Sequence, residues 1–254
     1  MKIISNYFLA LILILPCTIK AQAIFIESGK IEFEKKVNLL NMIKSEMDND
    51  RDRTWFDMIQ KMIPPVNTSY FDLSFKNNKT LFLPGKEYIN SPKAPSWTVG
   101  PATENVVYSD YTTQEQVSLK EVFDNTFLMK DSLHHIDWKM VNETRNIAGF
   151  TCRKAVAKMF DSVYVIAFFT EQITVSGGPE SFNGLPGMIL GLAIPRLHTT
   201  WYATKVEAIA VKDTEIMPPK KGKKMNFEQL KDQLKKSMKD WGKEGGRNLL
   251  QAVI

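Results

Sequence analysis

The sequence predicts an α+β fold: one large, curved antiparallel β-sheet with a few helices packed on it, the last of them amphipathic and C-terminal. Three observations lead there. Runs of alternating apolar and polar residues recur between Gly29 and Ala210, separated by Gly, Pro, Asn and Asp. The run Val163–Phe169 is apolar on both faces, as a central strand requires. Helical spacing appears in two segments, residues 53–63 and 226–241.

The elements follow in chain order. Lys2, the apolar stretch from Tyr7 to Pro16 and Ala21-Gln22-Ala23 have the anatomy of a cleavable secretory signal, so residues 1–23 are read as a signal peptide and 24–254 as a single β-rich domain. The apolar stretch falls short of the ~20 residues that a membrane span needs. Pro16 stands where lipidation at Cys17 would want a small residue. From Gly29 to Val37, Ile31, Phe33 and Lys35 share one face, and Glu32 and Glu34 the other. In residues 53–63 apolar groups at 55, 56, 58, 59, 62 and 63 suit a short helix stopped by Pro64-Pro65. Ser69–Phe75 and Thr80–Leu83 flank Asn77-Asn78-Lys79 and form a hairpin. Residues 84–104, with Pro84, Pro92, Pro95 and Pro101, read as a long loop that Trp97 could pin to the core.

Strands are then expected at 106–111, 116–123, 126–130, 137–141, 151–159, 163–170 and 199–210, with Asp161-Ser162 as a turn. Pro218-Pro219 marks a linker. In 226–241, Phe227, Leu230, Leu234, Met238 and Trp241 share one helical face, with Asn226 as N-cap and Gly242 as the stop.

Charge is unevenly placed. The whole chain carries +5, yet residues 220–247 hold ten Lys or Arg against four acids, a local charge of +6. The basic character is therefore a property of the C-terminal segment. Without a recognised motif it does not indicate nucleic acid, while an anionic lipid headgroup would suit it. Its lysine face is read as the solvated side of a packed helix, with a membrane-surface helix as the alternative. Cys152, left alone once Cys17 departs with the signal, cannot form an internal disulfide and is read as a buried, inert strand thiol, not one activated by Arg153 and Lys154.

The most informative stretch is Gly184-Leu185-Pro186-Gly187-Met188-Ile189-Leu190. Its glycines and proline specify a rigid turn, and its last three residues open a buried strand. It has upstream companions: Trp138-Lys139-Met140, Glu143-Thr144-Arg145, Ile147-Ala148-Gly149-Phe150, Cys152-Arg153-Lys154-Ala155, Ala167-Phe168-Phe169-Thr170, Gly178-Pro179 and Phe182. This ordered series over about seventy residues resembles the GLPGLI family of exported bacterial envelope proteins, with Met188 where the family name has Leu, a volume-conserving exchange. The resemblance implies a β-rich, secreted, periplasmic or outer-membrane-associated protein with no assigned reaction, and it carries over no catalytic residue.

Chemistry read from the residues is sparse. His134, His135 and His198 lack metal-ligand spacing, and the methionines do not cluster. No Ser stands in G-x-S-x-G, and the Gly-rich turns precede no helix that could cradle phosphate. Glu171 and Glu180 could act as a carboxylate pair only if they flank one cleft. No enzyme, cofactor or metal is expected. The apolar residues Phe168, Phe169, Leu185, Met188, Ile189, Leu190, Leu192 and Ile194 suggest an apolar face beside the turn. The expected function is thus a non-catalytic envelope protein that binds or carries a lipid or other apolar ligand, through Phe182, Gly184, Leu185, Pro186, Gly187 and Met188. In the alternative, the rigid turn docks on an outer-membrane protein partner.

Overall fold

A computed structural model describes residues 25–47, 50–85, 94–95, 98–123, 125–160 and 162–254, with the side chains of 50–52 outside that description. The signal peptide, Trp97 and Asp161 lie outside the described residues. Among the described residues, twelve strands form one open sheet. They are β1 (Ser28–Asn38), β2 (Val66–Lys76), β3 (Lys79–Pro84), β4 (Val106–Asp110), β5 (Glu115–Val122), β6 (Asn125–Ser132), β7 (Lys139–Ile147), β8 (Phe150–Met159), β9 (Val163–Thr170), β10 (Met188–Ile194), β11 (Thr199–Glu207) and β12 (Lys223–Met225). Their order across the sheet is β12-β6-β5-β4-β3-β2-β1-β11-β10-β9-β8-β7. Helices α1 (Leu39–Glu46), α2 (Asp50–Ile59), α3 (Phe227–Ser237) and α4 (Gly242–Val253) complete the fold.

Local sequence explains much of this. β1 buries Ile31, Phe33 and Lys35 on one face, as its alternation requires. The β2–β3 hairpin turns through Asn77 and Asn78 at φ 50° and 58°, the left-handed pair that a two-residue hairpin loop uses. β9 lies inside the sheet between β8 and β10 and buries Val165, Ala167 and Phe169 completely, although Tyr164 is exposed. α2 ends at Ile59, but its hydrogen bonding continues through Ile63 N donating to Ile59 O before Pro64.

One face of the sheet is covered over β3–β5, and the other carries the main core. On one, Leu81, Tyr108 and Val117 pack against Val211 and Ile216 of the connection between β11 and β12. On the other, Phe33, Phe71, Phe82, Val107, Phe169, Leu185 and Trp201 belong to the main core, which also takes Leu250 and Ile254 from the α4 end of the chain.

The structure bears out the α+β fold of one large sheet with a few packed helices and a C-terminal helix, and it corrects three details. The sheet is mixed, not wholly antiparallel, because the edge strand β12 runs parallel to β6. The connection from β11 crosses the sheet face before Lys223 reaches that edge, and nothing in a three-residue strand encodes direction. The helix expected over 226–241 is two helices. Asn226 does cap α3, its side chain accepting from Gln229 N, but α3 ends at Ser237, and Gly242 at φ 57° opens α4 instead of ending the chain's last helix. Trp241, placed on the packing face by its spacing, is 45% exposed. The strand expected at 137–141 runs instead from Lys139 to Ile147, with a bulge between Val141 and Thr144.

Candidate functional site

The Gly184–Leu190 turn is built into the core. Phe182, Leu185 and Met188 are 1%, 1% and 0% exposed, while Gly184 and Pro186 reach the surface. Leu185 O accepts from Ser176 Oγ at 2.5 Å, Met188 N donates to Ile173 O at 3.1 Å, and Ile189 N donates to Gly177 O at 2.8 Å. Trp138 Nε1 donates to Asn183 O at 2.8 Å. Gly187 sits at φ 134°, where a Cβ would lie 2.1 Å from Thr170 O, so no other residue fits without moving backbone. The turn is therefore a staple between the 173–177 segment and β10.

The polar residues lie just upstream of it. Glu180, at φ 54°, turns its side chain into the sheet beneath α4. Its Oε1 lies 3.4 Å from Lys35 Nζ and its Oε2 accepts from Asn105 Nδ2 at 2.8 Å, with both charged side chains almost wholly buried. Lys35 Nζ also stands 5.0 Å from the Trp201 ring centre and 5.4 Å from that of Phe71. Asn105 Oδ1 and Trp201 Nε1 are buried without a hydrogen-bond partner among the described residues. Both residues line a cavity of about 20 Å³, closed by Gln251 and Ile254. Beside it, β5 presents Gln116, Ser118 and Lys120, all buried. Lys120 Nζ donates to Ala252 O at 3.0 Å. Burial brings the Lys120 amine down to about 8, with the positive charge of Lys35 acting in the same direction and Glu180 opposing. Ser181 Oγ donates to Ile254 O at 2.8 Å. α4 thus rests on a sheet face lined with polar and charged groups.

On its other side α4 forms one wall of a larger cleft, about 820 Å³, with α1 and the 3-10 turn Pro195–Leu197 as the remaining walls. Met42, Leu197 and Leu250 supply apolar lining, and Arg196, Lys243, Arg247 and Glu46 supply charge. Arg247 Nη1 is 3.1 Å from Glu46 Oε1, an ion pair outside hydrogen-bond geometry. Burial raises the Glu46 carboxyl, with Arg247 opposing and Glu244 adding to the rise. His198, in the left-handed region at φ 49°, has its imidazole lowered by burial and contributes no charge near neutral pH.

The remaining candidates separate. Glu171 is at the surface in an ion pair with Arg153 at 2.6 Å, whereas Glu180 is buried. His135 is exposed beside Asp137. Among the described residues no three of His, Cys, Asp and Glu converge as a metal site. Cys152 is fully buried and burial pushes its thiol up to about 12, so it is the inert strand thiol. The cleft residues escaped sequence reasoning because they come from three distant segments. Within the polar cluster, the signal that could have been used is Lys35 on the apolar face of β1.

Comparison with known proteins agrees with the family resemblance. A family model described as a protein of unknown function (Porph_ging) matches residues 157–191, from the end of β8 through the Gly184–Leu190 turn. No curated protein matches the chain. The fold is similar to that of PNGF-II, solved in space groups P21 and C2, with TM-scores of 0.50 and 0.51 at 17% and 18% identity. The superposition covers 81% of this chain and 32% of each PNGF-II chain, so the chain spans about a third of that protein's length. At this identity the likeness is one of fold. No helix among the described residues is long and apolar enough to cross a membrane.

Proposed function

We propose that this is a non-catalytic protein of the bacterial envelope that holds a small amphiphile with an anionic head, in the cleft between α1, the 195–198 turn and α4. The observation carrying the reading is the cleft itself: about 820 Å³, with apolar lining and three cationic side chains against one carboxylate. That volume lies in the range of roughly 300–1,000 Å³ typical of small-molecule sites. Arg196 donates to Ser162 Oγ and Lys243 to Met47 O, and together with Arg247 beside Glu46 they give the lining a net positive charge suited to an anionic headgroup. The apolar ligand expected from the sequence is kept. Its place moves from the turn, whose apolar side chains are spent in the core, to the α4 cleft.

Calorimetric titration with monomeric dodecyl phosphate and with dodecyl maltoside tests the proposal. The phosphate should bind about tenfold tighter or more, the worth of one charge contact in a half-buried site. Arg196→Ala with Lys243→Ala should remove that preference. Gly246→Trp should block both ligands, because Gly246 lines the cleft and has nothing within 4 Å of a Cβ position. Unchanged binding in Gly246→Trp, or no binding of either ligand to the native chain, would defeat the reading.

A further inference from the structure

The lysines of the C-terminal segment gather on one edge of the sheet. β12 pairs along β6, and α3 packs beside it through Leu230, Leu234 and Met238 against Phe127 and Met129. This arrangement leaves Lys220, Lys221, Lys223 and Lys224 exposed along the edge strand and its approach, and Lys235, Lys236 and Lys239 exposed on α3 and just beyond it. Residues 220–241 hold eight lysines, three acids and no arginine. Among the described residues, carboxylates on this edge reach Lys231, at 3.4 Å from Glu228, and Lys239, at 3.9 Å from Asp240.

Two aromatic rings are exposed at the same place. Trp241, just past α3, and Phe123, in the β5–β6 turn, are 45% and 47% exposed, with ring centres 5.7 Å apart. Phe123 is held at φ 54°, a left-handed conformation that bulky residues rarely adopt. Two large rings paired in the open beside a lysine field have no core to complete.

We propose that this edge docks the protein on the surface of an anionic phospholipid bilayer, with the lysines over the headgroups and the Trp241–Phe123 pair seated at the interface. The chemistry selects a bilayer over a polyanion in two ways. Lysine is a point charge without the bidentate fork that arginine brings to individual phosphates, so an all-lysine edge suits a diffuse negative surface. Exposed tryptophan and phenylalanine partition into the headgroup region of a bilayer, a gain that a polyanion without stacking bases does not offer. The apolar face of α3 is already buried, so the helix lies on the surface and only the ring pair enters it.

Co-sedimentation with phosphatidylglycerol–phosphatidylcholine vesicles and with pure phosphatidylcholine vesicles tests this. The native chain should bind the anionic vesicles and release at least tenfold between about 0.05 M and about 0.5 M salt, as the Debye length shortens. Replacing Lys220, Lys221, Lys235, Lys236 and Lys239 with Gln should weaken binding by at least about a hundredfold, since each lysine multiplies partitioning roughly fivefold. Trp241→Ala with Phe123→Ala should weaken it about tenfold while keeping the preference for anionic lipid. Gly246→Trp, which fills the cleft, should leave vesicle binding unchanged. Unaltered thermal midpoints would show that the variants fold. Equal binding to both vesicle types, native-like binding by the glutamine variant, or lysine-dependent binding to heparin without vesicle binding would overturn the proposal.

Discussion

Replacing Lys120 with methionine should abolish a rise in stability that burial of this amine predicts for the native chain on going from neutral to mildly alkaline pH. Lys120 is buried under the last turn of α4, and its amine falls from the usual 10.5 to about 8. The folded pKa is depressed, so between about 8 and 10.5 the unfolded chain binds more protons than the folded one, and stability climbs with pH. The cost of burying the charge is complete below about 8 and is relieved above it. Integrated from about pH 7 to about pH 9, the proton difference is worth on the order of 1 kcal/mol. Cys152 works the other way: its thiol rises from 9.0 to about 12, so the stability it contributes is present below 9.0 and lost as pH climbs. Over the same interval that loss is the smaller of the two, and it is common to both proteins, so it cancels in their difference. Urea denaturation followed by tryptophan fluorescence at the two pH values, extrapolated linearly, reads the quantity directly. The native chain should gain on the order of 1 kcal/mol more than Lys120→Met. Equal pH responses in the two proteins would mean that α4 does not seal Lys120 from water, and the account of the polar face beneath it would fail.

Further expectations follow from the same packing. Gly187→Ala should cost about 2–4 kcal/mol, because a Cβ there meets Thr170 O and the backbone is left-handed; chemical denaturation measures it, and a loss under about 1 kcal/mol would argue against the staple. Gly246→Ala should raise stability by about 1 kcal/mol, since the position is helical and open, which a shifted thermal midpoint would register. Lys35→Met should destabilise by about 3–5 kcal/mol by stranding the Glu180 carboxylate, and adding Glu180→Gln should restore most of the loss in a double-mutant cycle. Iodoacetamide should label Cys152 in the folded chain on the order of a thousandfold more slowly than in the unfolded chain, with comparable rates arguing against its burial.

Much of the sheet was legible because its signals are local. Alternation in β1, the Asn77-Asn78 hairpin and the two-sided apolar run of β9 each specify their element within ten residues or so. α1 went unread because its apolar positions continue directly from β1, and Asn38 serves both as the end of the strand and as the cap of the helix. α4 went unread because Gly242, Gly245 and Gly246 depress its intrinsic helicity. Gly245 answers to packing, where a Cβ would meet Met238 O at 2.6 Å, and Gly246 does not, since it opens on the cleft. Tertiary contact with the polar face and with α3, not local propensity, therefore holds α4 in place. The direction of β12 was unreadable for the same reason: three residues carry no register of their own.

The site was legible only in fragments, and the fragments tie it to the turn. A lysine on the inward face of an amphipathic strand requires a buried partner. That partner, Glu180, lies four residues before the turn, on a loop whose ends are tied down at Ser176 and Met188. The rigidity of Gly184–Leu190 does not make a binding surface from its own apolar side chains, which are in the core. It fixes the upstream residues Glu180 and Ser181, so that one carboxylate meets Lys35 and Asn105 while one hydroxyl meets the carbonyl of Ile254. A looser turn would let Glu180 reach water and leave Lys35 unpaired between Phe71 and Trp201, a loss that the Lys35→Met and Gly187→Ala variants approach from opposite sides. The Gly184–Leu190 motif and the polar face under α4 are on this account one device: the glycines set the backbone, the backbone places the acid, and the acid lets a charged strand face be covered by a helix.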